Sequence, residues 1–251
     1  MQSPAVARVA LVTAGSAGLA RGVVVALARA GYRTAFTYRE GGTAPDATLA
    51  AVRAAGGDAL ALAADFDRRG DGAAAVAEVE GRHGRVDALV HAVGPMLVRR
   101  FERSTAADYD AMLTPNLGSA VECAAAVLPG MRARGFGRLI FFGMNGSRVT
   151  QPARGLALYA AAKAGLTAFA RTLALEEAKY GITVNTIEPG DLRHKHEDRA
   201  TARAIVANNP TGRAGSWEDV ADAVRFLIAD DASFINGATI GVSGGLVDAH
   251  E

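Results

Sequence analysis

Tyr159 and Lys163 are the pair whose types and spacing point most directly to chemistry. They stand at i and i+4 in Leu158-Tyr159-Ala160-Ala161-Ala162-Lys163-Ala164-Gly165, so on a helix they share one face. The residues between are small and apolar. A lysine held there keeps its charge near the phenol, favours phenolate and lowers the tyrosine pKa toward working pH. Such a tyrosine gives a proton to a carbonyl oxygen during reduction, or takes one during oxidation. On an exposed helix the same spacing would be an ordinary Tyr/Lys pair, so its position in the fold decides its meaning.

A second constellation lies near the N-terminus. Val12-Thr13-Ala14-Gly15-Ser16-Ala17-Gly18-Leu19-Ala20 separates an apolar run from a helical pattern. Small residues there let the backbone approach a pyrophosphate, and the helix N-terminus offers free N–H groups and a positive dipole end. Thr13, Gly15, Ser16, Gly18 and Leu19 are the candidates, with Gly18 closest. The next apolar run ends in Phe36-Thr37-Tyr38-Arg39. An NAD site usually carries an acid there for the ribose hydroxyls. Tyr38 is not acidic, and Arg39 can pair with a 2′-phosphate, with Ser16 adding a hydrogen bond. These residues favour NADP (NADPH). Asp65 and Phe66 follow the third run; Asp65 reads as a helix cap or a base contact, and Asp67 is placed to cap the next helix.

The elements that must position these groups alternate in type. Strands are expected over 6–13, 34–38, 59–64, 86–91, 138–142, 182–187 and 239–242. Helices are expected over 19–30, 43–55, 72–82, 106–134, 158–180 and 217–229. The strands are short and nearly continuously apolar, as VALV, LIFF and ITVNTI show. Such runs suit strands buried on both faces. The expected fold is a doubly wound parallel sheet, Rossmann-like and three-layered α/β/α, in a single domain over residues 1–251.

Bulk properties narrow the function class. Half of the 251 residues are apolar and the net charge is +1, which argues against disorder and against a nucleic-acid partner. The single cysteine, Cys123, excludes an internal disulfide framework and reads as a buried small hydrophobe. No uncharged apolar run approaches the ~20 residues of a membrane span. Arg8 interrupts what would be a signal sequence, so a cytoplasmic location is expected. No metal site is expected.

Together, TAGSAGLA at 13–20, ADFD at 64–67, LVHAVG at 89–94, PNLGSA at 115–120, YAAAK at 159–163, ITVNTIEPGDL at 182–192 and INGATIGVSGG at 235–245 resemble the short-chain dehydrogenase/reductases over almost the full length. Within that family, EEAKYGITVN and NPTGRAGSWEDVADAVRFLI resemble 3-oxoacyl-carrier-protein reductases. The resemblance implies that Asn116 holds a proton-relay water near Lys163, and that Lys163 also binds the nicotinamide ribose. It implies that Asp65 meets the adenine amino group, and that Pro189, Gly190, Asp191 and Leu192 pass the carboxamide. The family's NNAG stretch reads His91-Ala92-Val93-Gly94, so Ala92 and Gly94 keep only a backbone role, and His91 reads as a core histidine.

Two departures matter. Ala14 and Ala20 replace the first and third glycines of the family's TGxxxGxG loop. Relatives also carry a serine about thirteen residues before the tyrosine, which hydrogen-bonds the substrate carbonyl. Here that place is Gly146 by count, or Met144 when the Gly-Arg that opens strand five is aligned. Asn145 or Ser147 is then the expected substitute. The function implied is NADPH-dependent reduction of a small-molecule or carrier-bound ketone, such as a β-ketoacyl thioester. The alternative is a nucleotide-binding regulatory or scaffolding protein that lost efficient catalysis. The basic clusters Arg193–Arg199 and Arg99–Arg103 read as solvated surface or as attraction for an acidic carrier. Stripes of small residues on the two long helices imply a homo-oligomer, a dimer or a tetramer.

Overall fold

The structure is a computed structural model that describes residues 7–146, 154–190 and 197–246. Seven strands, β1 (Val9–Val12), β2 (Arg33–Tyr38), β3 (Ala59–Ala63), β4 (Ala88–His91), β5 (Gly137–Phe142), β6 (Ile182–Pro189) and β7 (Thr239–Val242), form one sheet. Its order is β3-β2-β1-β4-β5-β6-β7, and every pairing is parallel. The order reverses between β1 and β4, which opens a crevice at the carboxyl ends of those strands.

Helices cover both faces. On one side α1 (Gly18–Arg29), α2 (Asp46–Ala54) and the later helix Trp217–Ile228 bury Val23, Val24, Leu27, Val52, Val220 and Val224 against the sheet. On the other lie α3 (Asp71–His83), α4 (Ala106–Leu113), α5 (Ser119–Arg134) and α6 (Ala157–Glu177). Their inner residues Val76, Val79, Cys123, Val127, Leu166 and Ala170 meet Leu11, Leu89, Leu139 and Phe141. The central strands are therefore dry on both faces, which is why they read as unbroken apolar runs. After β6 come α7 (Arg199–Arg203) and α8, the Trp217–Ile228 helix.

The helix expected over 106–134 is broken in pattern. α4 and α5 are joined by a π-helical segment, Thr114–Gly118, which contains Pro115 and Asn116. Pro115 lacks an N–H, so a regular ladder cannot run through it, and the wider turn takes up the extra residue. Ala106–Arg134 as a whole is long and apolar enough to cross a membrane by composition, but half of its apolar window is buried in the core. The helix expected from residue 43 begins instead at Asp46, after Pro45, because Gly41 and Gly42 form an exposed turn first. Helix α3 is entered through Gly70, in the left-handed region, so Asp67 does not cap it. Asp71, in its first turn, accepts the N–H of Asp65 at 2.9 Å instead.

Candidate active site

The turn after β1 is built by close packing. Gly15 sits where a Cβ would fall 2.6 Å from the Cβ of Phe36 and 2.8 Å from Val24. Its N–H donates to the Thr37 carbonyl at 2.8 Å, and its carbonyl accepts from the Thr48 hydroxyl at 3.1 Å. Ala14, which replaces a family glycine, adopts φ +56° and donates its N–H to Thr37 Oγ1 at 2.9 Å. An alanine held there costs about 1–2 kcal/mol. Gly18 opens α1 at φ +55°, and Ala17, at the N-cap, makes no side-chain cap bond. The first N–H groups of α1 are thus left for an anion. Ser16 is buried within the turn.

Thr13 is buried behind the loop. Its hydroxyl oxygen accepts the Ala92 N–H at 2.9 Å and lies 3.3 Å from His91 Nδ1. On the other side of the ring, Nε2 lies 3.1 Å from Ser119 Oγ, whose own proton goes to the Pro115 carbonyl at 2.5 Å. That assignment leaves His91 as the Nε2–H tautomer, donating to Ser119 and accepting from Thr13. Burial, with Lys163 nearby, holds its pKa at about 3, so it stays neutral. It is a satisfied core histidine, and it fastens the glycine loop to the π-helical segment.

Lys163 is 2% exposed. Its Nζ donates to the Phe142 carbonyl at 2.8 Å and the Val93 carbonyl at 3.2 Å. A Cβ on Gly94 would lie 3.2 Å from Nζ, so a side chain there would press on the lysine's end. Burial brings the Lys163 pKa down to about 7. Tyr159 stands one turn earlier on α6, with Lys163 Nζ 5.9 Å from its ring centre. The sequence expectation is a phenol lowered by Lys163; burial instead pushes the phenol up. The phenol is therefore protonated at neutral pH, the form that donates.

Lys163 also sets a stability signature. Its folded pKa of about 7 lies below the 10.5 of a free lysine, so between these values the unfolded chain binds more protons. Native stability then rises with pH across that window, and the burial cost is fully present below about 7. Lys163→Met is expected to raise stability by about 2 kcal/mol at the acidic end of the window, with the gain fading toward the alkaline end. Urea unfolding of both proteins at the two ends measures this; a gain that grows with pH would contradict it.

Asn116, fully buried, donates from Nδ2 to Met112 and Pro95 carbonyls at 2.9 and 3.0 Å. Its Oδ1 is buried without a partner and lies 3.7 Å from the Cβ position of Gly94, on the Lys163 side. An orphaned buried acceptor next to a buried ammonium is a place for a bridging water.

These groups face one cleft of about 650 Å³, lined by Ala14, Ala17–Ala20, Ala92, Gly94, Met96, Phe142, Gly143, Tyr159, Lys163 and Pro189. Its size is that of a ligand pocket. An adjoining hollow is lined by Tyr38, Arg39, Asp65, Phe66 and Asp67, and shares Ala14 and Gly94 with the cleft. A dinucleotide fits this arrangement: an uncapped helix N-terminus lies between an adenine-sized hollow and the Tyr159 end. Gly190 lines a separate hollow behind β7, where its N–H donates to the Val242 carbonyl at 3.0 Å. Asp191, Leu192, Ser147 and the 193–196 part of the basic cluster lie outside the described residues.

Strand β5 ends at Phe142, and Gly143 and Met144 follow, so Met144 stands near the strand's carboxyl end, at the serine's place in the Gly-Arg alignment, with Gly146, its place by count, two residues on. The Asn145 Nδ2 donates to the Leu246 carbonyl at 3.2 Å and lies beside Gly190. Sequence reasoning missed Phe142, Gly143 and Met96 as cleft residues. The first two could have been found from their place at the carboxyl end of a central strand. Arg99 is engaged with Asp108 at 2.6 Å at the start of α4. Cys123 is buried, and its thiol is pushed up to about 12.

Residues 13–247 match the family profile described as Enoyl-(Acyl carrier protein) reductase. The chain is 34% identical over 242 residues to the 3-oxoacyl-[acyl-carrier-protein] reductase of Synechocystis, spanning 96% of this chain and 97% of that one. It is 33% identical over 247 residues to the acetoacetyl-CoA reductase of Allochromatium vinosum, spanning 96% and 98%. The crystal structure of acetoin dehydrogenase from Enterobacter cloacae superposes with a TM-score of 0.85 at 27% identity, covering 96% of each chain. The sheet order, the helix-borne Tyr159–Lys163 pair and these matches have one meaning: the chain belongs to the short-chain dehydrogenase/reductase family of oxidoreductases.

Proposed function

We propose that the protein is an NADPH-dependent carbonyl reductase that acts on a β-ketoacyl thioester or a similar ketone. The observation that carries this reading is the convergence of Tyr159, Lys163 and the uncapped start of α1 on one cleft. NADPH, when bound, supplies the hydride. The chain's own groups do the rest. The N–H groups of α1 take the pyrophosphate, Gly94 and Pro189 flank the nicotinamide end, and Arg39 takes the 2′-phosphate. Lys163 holds the nicotinamide ribose. Tyr159, protonated by virtue of its burial, donates its phenolic proton to the ketone oxygen as negative charge develops there. The Lys163 ammonium, its pKa lowered by burial, supplies the proton that restores the phenol, and the Asn116 Oδ1 acceptor holds a water between them.

The β-ketoacyl class is supported by the named activities of the two relatives. The protein acts in the cytoplasm as a homo-oligomer joined through its long helices, with no nucleic-acid or membrane partner. A second reading has one observation of its own. Met144 offers no hydroxyl to a substrate oxygen and Asn145 is engaged elsewhere, which favours a dinucleotide-binding regulatory protein with weak catalysis. The experiment is oxidation of NADPH and NADH by purified protein with acetoacetyl-CoA and simple ketones. Turnover with NADPH above NADH is the expected result. Tight dinucleotide binding with no turnover across the panel would favour the regulatory reading.

A further inference from the structure

Arg39 follows β2, and its Nη1 lies 3.3 Å from Asp67 Oδ2. Both line the hollow that also holds Tyr38, Asp65 and Phe66. Asp67 does not cap α3, so its carboxylate has no helix to serve. Its position is set by its neighbours. Phe66 is buried edge-on to His91, and the Asp67 N–H donates to Asp65 Oδ1 at 3.3 Å. The segment is thus anchored to the core on one side and folded on itself on the other, and Asp67 faces Arg39, the one cation among the described residues that line the hollow.

We propose that Asp67 is a built-in counter-ion for Arg39, which competes with the 2′-phosphate of the dinucleotide and sets the NADPH/NADH selectivity of the protein. This rests on the NADPH reading above. A dinucleotide with a free ribose hydroxyl leaves the Arg39–Asp67 pair intact. One with a 2′-phosphate must draw Arg39 off Asp67, or share it, while it meets a second negative charge at short range. Both effects weaken NADPH and spare NADH. The pair is half-exposed, with side chains 64% and 51% accessible, so the effect is modest and salt-dependent.

The test is equilibrium titration of nucleotide fluorescence with NADPH and with NADH, on the wild type, Asp67→Asn, Arg39→Ala and the double variant, at low and high salt. Asp67→Asn is expected to tighten NADPH by about three- to tenfold at low salt, with NADH changed by less than about twofold and the NADPH gain shrinking at high salt. In the Arg39→Ala background the same substitution is expected to gain clearly less, because the competition has gone. Equal tightening of both nucleotides, no change for NADPH, or an undiminished gain without Arg39 would each overturn the proposal. The cofactor reading is judged separately. A wild type that prefers NADH would refute that reading, whereas the Asp67→Asn to wild-type ratio reports on Asp67 alone. Unchanged thermal unfolding of Asp67→Asn separates the effect from misfolding, since this carboxylate contributes no helix cap.

Discussion

Tyr159→Phe is expected to lower kcat for ketone reduction by about a thousandfold while leaving dinucleotide affinity within about twofold. The phenol lines the cleft, and burial raises its pKa, so it carries its proton at neutral pH. Phenylalanine keeps the ring that packs at the start of α6 and removes only the proton. The two quantities are measured by steady-state kinetics with NADPH and by nucleotide fluorescence titration. A variant that keeps more than about a tenth of the wild-type kcat would mean that another group, or solvent, protonates the product. Parallel loss of affinity and rate would mean instead that Tyr159 matters for the shape of the cleft.

Met144→Ser is the second large effect, and its direction is a gain. Met144 follows Gly143 at the carboxyl end of β5, and Gly143 lines the cleft beside Tyr159. A hydroxyl at that place would give the substrate oxygen a second donor, and removal of such donors elsewhere costs about 10²–10³ in rate. The variant is therefore expected to raise kcat/KM for acetoacetyl-CoA or a simple ketone by about tenfold or more, the shortfall reflecting a loop not shaped around the new group. Single-turnover rates with NADPH measure the chemical step directly. No gain would show that the wild type supplies its donor from another residue or that the chemistry is not carbonyl reduction. If the wild type is silent and Met144→Ser is active, the regulatory reading of the natural sequence gains its best support.

Most of the fold was legible because its signals are local. Each central strand is an apolar run, and glycine or proline marks most helix ends, so the fold class followed from alternation alone. Tyr159, Lys163 and the 13–20 loop were legible for the same reason: spacing along one helix and small residues at one turn carry their geometry. What was not legible depends on contacts across the sheet. The pairing of Arg39 with Asp67 joins residues from two βα turns, and no pattern within either turn announces it. The upward direction of the Tyr159 shift was not legible because i,i+4 spacing gives proximity to Lys163 and not the burial of the phenol, which depends on what packs around it. Asn145 reads as a free loop amide until Leu246, about a hundred positions away, claims its N–H.

The π-helical segment at Thr114–Gly118 has a consequence for how this chain tolerates length changes. A π turn is an α-helix with one residue added, and one residue advances a helix by about 100°. The surplus residue therefore sets which faces of the two helices turn inward: α4 buries Met112, whereas α5 buries Ala120, Cys123, Ala124 and Val127. Removal of a single residue there would swing one helix about its axis relative to the other, and would carry Asn116 and the Pro115 carbonyl that receives Ser119 out of alignment with the cleft. The segment behaves as a retained insertion: a spare residue, unfavourable for regular helix geometry, on which the alignment of two otherwise ordinary helices has come to depend.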